Sequence, residues 1–353
     1  MTALLPSPHD PSDHDGRRCT PGFPTHLPAP RGPVSEQLLD RLSRRVHTLG
    51  PLPIADDVDL LRDDDAALAL YLCYELHYLG LPGVDEAWEW EPSLLRERRR
   101  LEEAFEANLV DLVGPAPLAL SCDQVVAELQ SLASDGGGPS LSEHMAQRGT
   151  REQMEEFAVH RSAYQLKEAD PHTFAIPRLT GRAKAALVDI QQGEYGEGQV
   201  EEVHANLFAE VMRELGLDPR YGAYLDRLPA TTLATCNLAS MFGLHRRWRG
   251  ALVGHLALFE MCSVAPMGRY AAALRRLGLG AGATRFYEAH VLADERHRVV
   301  ALDHMVTGLL ADEPYLGGEV VFGARTLAAV EGRFSRALLD AWAGNRSSLR
   351  RAG

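Results

Sequence analysis

The spacing of apolar residues predicts a chain built from α-helices. In SEQLLDRLSRRVHTL, from Ser35, apolar positions recur every three or four residues behind a serine able to cap the first turn. A loop with Pro51 and Pro53 follows. DDDAALALYLCYELHYLGL then predicts a buried helix, with three aspartates at the end where the helix dipole favours negative charge. Pro82-Gly83 ends it. PSLLRERRRLEEAFEANLVDLV is amphipathic and starts on Pro92 and Ser93, and a short helix is expected over Ser121–Ala133. SDGGGPS, Ser134–Ser140, is the best linker in the chain.

Beyond the linker the predicted helices lengthen. They run over 141–168, 181–215, a pair within 229–277, then 282–309 and 318–343. No segment alternates as a strand would, and no repeat of solenoid period is present. The expectation is an all-α bundle in three parts: a leader over 1–35, rich in Pro, Asp, His and Gly and expected to be disordered, a helical N-terminal portion over 36–140, and a helical core over 141–353.

Composition narrows the function. The 353 residues are 45% hydrophobic and carry a net charge of −13, which suits a sizeable core and disfavours nucleic-acid phosphates as partners. The arginine clusters, such as Arg98, Arg99 and Arg100, sit within helical patterns and read as solvated faces. The five cysteines are widely spaced and form no C-x-x-C pair, which fits a reduced cytoplasmic protein. MTALLPSPHDPSDHD has no basic region followed by an apolar one, and no window is expected to reach the length and apolarity of a membrane span.

FYEAHVLADERHRVVALDHM carries the first candidate chemistry. His290, Asp294 and His297 are spaced i, i+4, i+7 and fall within roughly 60° of one another on one helical stripe. Two imidazoles and a carboxylate on one face form a chelate for a first-row metal, although surface pairs share this spacing. Partners on other helices distinguish the two, because bundle sites draw inward-facing side chains from several helices. Glu260 is the only carboxylate in GALVGHLALFEMCSVAPM, and burying it unpaired is costly unless a metal or a buried arginine meets it. His255, in the same run, reads as a packed core histidine.

His204, in EEVHANLFAEVM, shares a face with Leu207, Phe208 and Val211. Upstream, GEYGEGQVEE offers Glu194, Glu197, Glu201 and Glu202. An ideal helix would put Glu197 or Glu201 on the face of His204 and rotate Glu194 away by roughly 80°. Gly193, Gly196 and Gly198 allow a kink that resets this phase. Spacing alone leaves the glutamates open. Glu168, in RSAYQLKEADPHTF, closes a predicted helix before Pro171, and nothing local marks it.

Together these residues make the chain resemble the heme-oxygenase-like diiron oxidases and oxygenases, an iron-containing redox enzyme family, over roughly residues 150–345. The family pattern has a Glu on the first core helix, a Glu and a His ten residues apart on the second, a lone Glu later, and H-x-x-x-D-x-x-H on the third. Here these fall on Glu168, on Glu194 and His204, on Glu260, and on His290, Asp294 and His297. The resemblance implies a heme-oxygenase-like bundle with an N-terminal helical extension. It selects Glu194 over Glu197, and it implies two Fe ions cycling between Fe(II) and Fe(III), O2 as co-substrate and an external reductant. Three imidazoles and four carboxylates are donors that suit iron or manganese, with no thiolate recruited. True heme oxygenases share the fold but need a heme-ligating His and an open crevice, so heme degradation is disfavoured.

Members resembling this chain act on small amines, amino acids or fatty acids, mostly in specialised metabolism. The expected reaction is N-oxygenation of a small amine or amino acid. Polar residues near the ligand helices, Tyr164, Gln165, Gln191, Tyr195, Asn237 and Ser263, favour a polar substrate. Lys167 and Arg178 are the candidates to pair with a substrate carboxylate. The alternative reaction is oxidative C–C cleavage or desaturation of an amino acid or fatty acid. A different class is a helical protein that binds metal without catalysis, which predicts no pocket beside the metals. The apolar N-terminal helices suit a homodimer.

Overall fold

The computed structural model describes residues 26–135 and 140–351. Most of the expected leader and the middle of the expected linker lie outside these. Among the described residues the regular structure is entirely helical. The N-terminal part holds α1 (Pro33–Leu42), α2 (Asp64–Glu75), α3 (Pro92–Val113) and α4 (Cys122–Asp135). Then come α5 (Leu141–Arg148), α6 (Arg151–Gln165), α7 (Asp170–Thr173), α8 (Gly181–Glu194) and α9 (His204–Glu214). Next are α10 (Ala230–Leu244), α11 (Arg249–Arg276) and α12 (Ala281–Val299), whose last turn widens into a π-helix over Val300–Val306 before α13 (Thr307–Asp312). The last helix is α14 (Gly317–Ala343).

Three expected helices are broken, each for a local reason. The one over 141–168 restarts at Thr150, whose hydroxyl accepts from the Gln153 amide while the Gln153 side chain accepts from the Thr150 amide. This capping box ends one helix and begins another. The one over 181–215 is interrupted by a glycine turn, described below with the site. The one over 282–309 changes to π geometry, which recurs at functional sites. The first helix starts at Pro33, whose fixed φ suits a first helical position, and stops at Leu42 rather than near Leu49.

Every residue of α2 from Ala66 to Glu75 is buried, as a helix apolar on all sides must be. Asp63 caps it, accepting from the amides of Asp65 and Ala66. It lies against α10, and one hydrophobic cluster joins Leu38, Leu68, Trp88 and Leu101 to Leu233, Val253 and Val320. A second cluster, with Phe157, Phe208, Phe286 and Trp342, links α6, α9, α12 and α14.

At the centre, α11 packs on α12 along one side and on α14 along another. The α11–α14 crossing is a backbone contact. A Cβ at Gly254 would lie 1.9 Å from the Val320 carbonyl oxygen, and one at Gly323 would lie 1.9 Å from that of Ala251. No side chain fits there. Residues Arg246–Arg276 are, by length and composition, long and apolar enough to cross a membrane, which corrects the sequence expectation. Their most apolar window is 67% buried inside the protein, as in a core helix.

Candidate metal centre

Five chain segments meet at one buried cluster. Glu168 lies in the turn after α6, Glu194 is the last residue of α8, His204 is the first of α9, Glu260 is on α11, and His290, Asp294 and His297 share a face of α12. All seven are buried, the most exposed being Glu194 at 6%. Their donor atoms form two groups of four: Glu168, Glu194, His204 and His290, and Glu194, Glu260, Asp294 and His297. Within each group the atoms lie within 4.8 Å of one another, and Glu194 belongs to both.

The glycine turn places Glu194 beside His204. Gly196 takes φ 64, and a Cβ there would come within 2.5 Å of the Val203 nitrogen. The left-handed glycine folds the chain back on itself, so the ten-residue spacing closes to 2.8 Å between Glu194 Oε2 and His204 Nδ1. Glu197 and Glu201, which an uninterrupted helix would have favoured, are exposed. Gly193 serves differently: a Cβ there would sit 2.9 Å from His297 Cε1, so the missing side chain makes room for the imidazole. We therefore expect Gly193→Ala to keep the helical fold, since alanine favours helix. It should weaken metal binding at the His297 group by about tenfold or more. Unchanged affinity in a metal titration would refute this role.

The donors satisfy one another poorly. Among the described residues, both oxygens of Glu168 and of Asp294, Oε2 of Glu194, Nδ1 of His204 and Nδ1 of His297 lack a hydrogen-bond partner. The close Glu194–His204 approach is not aligned as a hydrogen bond. His297 Nδ1 is 3.6 Å from Glu260 Oε2 and 3.7 Å from Asp294 Oδ1, beyond normal hydrogen-bond range. Seven buried donors aimed at common points without bonding each other fit metal ions. His290 is the one with a fixed tautomer. Its Nδ1–H donates to the Phe286 carbonyl at 2.9 Å, leaving Nε2 as the atom that could take a metal, 3.5 Å from Glu168 Oε2.

Proton affinities follow from this crowding. Burial pushes Glu260 up to about 8, reinforced by the charges of Asp294 and Glu194. Burial likewise raises Glu168. Burial works to raise Glu194 too, but His204 opposes it and, with His290 and His297, holds it down to about 2. Burial would lower His297, yet Asp294 and Glu260 lift it to about 10. Without a cation the cluster must hold protons to offset its carboxylates, and metal binding releases them.

A small cavity borders the cluster, lined by Glu168, Glu194, Glu260, His290 and Asp294 together with Tyr164, His172, Gln191 and Phe259. Of the polar residues singled out in the sequence, Tyr164 and Gln191 reach it. Asn237 donates to the Ala67 carbonyl, Ser263 to that of Glu260, and Tyr195 to Asp170. The two expected substrate cations are engaged elsewhere. The Lys167 ammonium pairs with buried Glu75 inside a cage of Tyr71, Tyr78 and Tyr221. Arg178 donates to the carbonyls of Gly243 and Leu244 at the end of α10. Neither lines the cavity: arginine and lysine also cap helix ends and fill cages, and sequence does not say which. The sequence reading also passed over His172, although its position four residues after Glu168 places it one helical turn on.

Among curated proteins none matches the chain. The family model described as iron-containing redox enzyme matches residues 155–332, half of the chain. All seven clustered residues fall inside that stretch, and the chain belongs to this heme-oxygenase-like family of iron-containing redox enzymes.

Proposed function

We propose that the protein is a non-heme diiron oxygenase that uses O2 and an external reductant to N-oxygenate a small amine or amino acid in specialised metabolism. The observation that carries this reading is the pair of four-donor groups joined through Glu194. One carboxylate with two oxygens can bridge two cations, and the other six residues divide equally between them. Iron, when bound, supplies the electrons that dioxygen chemistry needs.

The chain's own residues supply the rest. The Phe286 carbonyl holds the His290 ring in one orientation, and Phe208 packs edge-on against Phe286 behind it, excluding water. Gln191 donates through Nε2 to Ala169 and Thr173, which orients the amide and leaves Oε1 without a partner on the cavity wall. That oxygen can accept from a substrate amine. The unpartnered Gln191 oxygen on the cavity wall favours an amine over a fatty acid.

The test is anaerobic loading with Fe(II), exposure to O2 and observation of the visible spectrum. A transient absorbance whose decay is hastened by an amine is expected. Ferric product that forms without any transient, and with no amine consumed, would sink the proposal.

A further inference from the structure

A line of hydrogen bonds leaves the cavity wall at Gln191, a residue of α8 that is 3% exposed. Its Nε2 lies 2.7 Å from the Ala169 carbonyl oxygen and 2.6 Å from Thr173 Oγ1. A carbonyl oxygen can only accept, so the amide nitrogen must be the atom that faces it. The main chain therefore fixes which end of the amide is which. Both N–H groups are spent in this way. Oε1 is left without a partner among the described residues, on the cavity beside the donor cluster.

The line continues away from the cavity. Tyr195 Oη donates to Asp170 Oδ1 at 2.8 Å, since a carboxylate accepts. With that proton spent, the Tyr195 oxygen accepts from the Thr173 hydroxyl at 2.9 Å. Thr173 Oγ1 keeps its lone pairs for the second N–H of Gln191. Every bond thus points the same way, from the cavity wall towards Asp170, and bonds aligned in this sense polarise one another. Asp170 and Thr173 belong to α7, just after Glu168, and Tyr195 directly follows Glu194. The same line therefore ties together the two chain segments that carry these carboxylates.

A group that faces Gln191 from the cavity meets a bare oxygen and no amide N–H. An N–H or O–H partner satisfies that oxygen. An acceptor of similar size sets lone pair against lone pair, with both buried, which costs more than a missing bond. We propose that Gln191 is the specificity-determining acceptor of this site, and that Thr173, Tyr195 and Asp170 are positioning residues that hold its amide in the accepting sense. The wall then admits a small N–H donor and turns away a pure acceptor. The inference rests on the proposed function for the identity of the donor, an amine nitrogen, and not for the direction of the line.

Two measurements test it. Anaerobic calorimetry on the full chain loaded with Fe(II) compares hydroxylamine, a small N–H and O–H donor, with azide, which only accepts. Gln191→Leu should weaken hydroxylamine binding about tenfold, the loss of one hydrogen bond in a buried site, and leave azide binding unchanged or tighter. Thr173→Val should move both probes in the same directions by a smaller factor, and Thr173→Ser should restore the parent values. Equal losses for the two probes, or no loss of hydroxylamine, overturn the inference, as does a Thr173→Ser variant that restores nothing. The second measurement needs no metal. With isotope-labelled glutamine, the side-chain N–H pair of Gln191 should exchange slowly with solvent and faster in Thr173→Val. Rapid exchange in the parent protein, or exchange indifferent to Thr173→Val, overturns the inference. If Gln191→Leu does not fold, the two Thr173 variants decide. If the chain takes up no iron, the proposed function falls and the exchange measurement decides this inference alone.

Discussion

If each four-donor group holds one iron ion, Glu194→Gln will leave the protein unable to hold either, whereas His297→Ala will leave one in place. The difference follows from membership: Glu194 contributes to both four-donor groups and His297 to one. Losing a residue that merely supports a ligand typically costs 10–100-fold in metal affinity, so losing a ligand shared by two ions costs more than about 100-fold at each. The substitution keeps the size and removes the charge. His204 then loses the carboxylate held 2.8 Å from its Nδ1, and the two groups lose their bridge. Metal analysis after anaerobic loading and desalting reads the result directly. Two irons retained in Glu194→Gln would remove the bridge from the account, and two retained in His297→Ala would remove that ligand.

Glu75→Gln will destabilise the fold by about 3 kcal/mol, the cost of breaking a buried ion pair from one side. The Lys167 side chain is 2% exposed and that of Glu75 1%, so water cannot replace the lost partner. The tyrosine faces around the ammonium offset part of this charge but not all. Tyr221 also loses the carboxylate oxygen to which it donates at 2.7 Å. Replacing both partners, Glu75→Gln with Lys167→Met, should cost clearly less than Glu75→Gln alone, because no charge is stranded. Denaturant titration compares the two, and equal losses would argue against a charge effect. Lys167 directly precedes Glu168, so the single variant should also bind iron less tightly, through a loosened turn.

Legibility in the sequence tracked how local the cause was. The α12 stripe was plain because helical period alone puts His290, Asp294 and His297 on one face. Glu260 stood out as a lone carboxylate in an apolar run, and it is buried on the central helix. Glu168 was invisible by pattern: it lies in a turn, where no period applies, and only the resemblance singled it out. Glu194 needed a backbone fact, the positive φ of Gly196, that three glycines hinted at without fixing. The break at Thr150 was readable and overlooked, since Thr150 and Gln153 have the spacing of a capping box. The directions of Lys167 and Arg178, by contrast, depend on α2 and α10, which are distant in the chain. The same holds for His255, a packed core histidine whose partner, His172, lies far away in the chain.

The glycine crossing of α11 and α14 bears on how such a protein tolerates change. Where two helices are spaced by interlocking side chains, each substitution in the core shifts the spacing a little. Here Gly254 and Gly323 bring main chain against main chain, and the distance is set by atoms that every sequence shares. Glu260 sits six residues beyond Gly254 on the same helix. Substitutions among the surrounding leucines and valines would then change stability while leaving the carboxylate where it is. Such a chain can accumulate variation around its centre, and explore new substrates at the cavity wall, as long as those two positions stay bare.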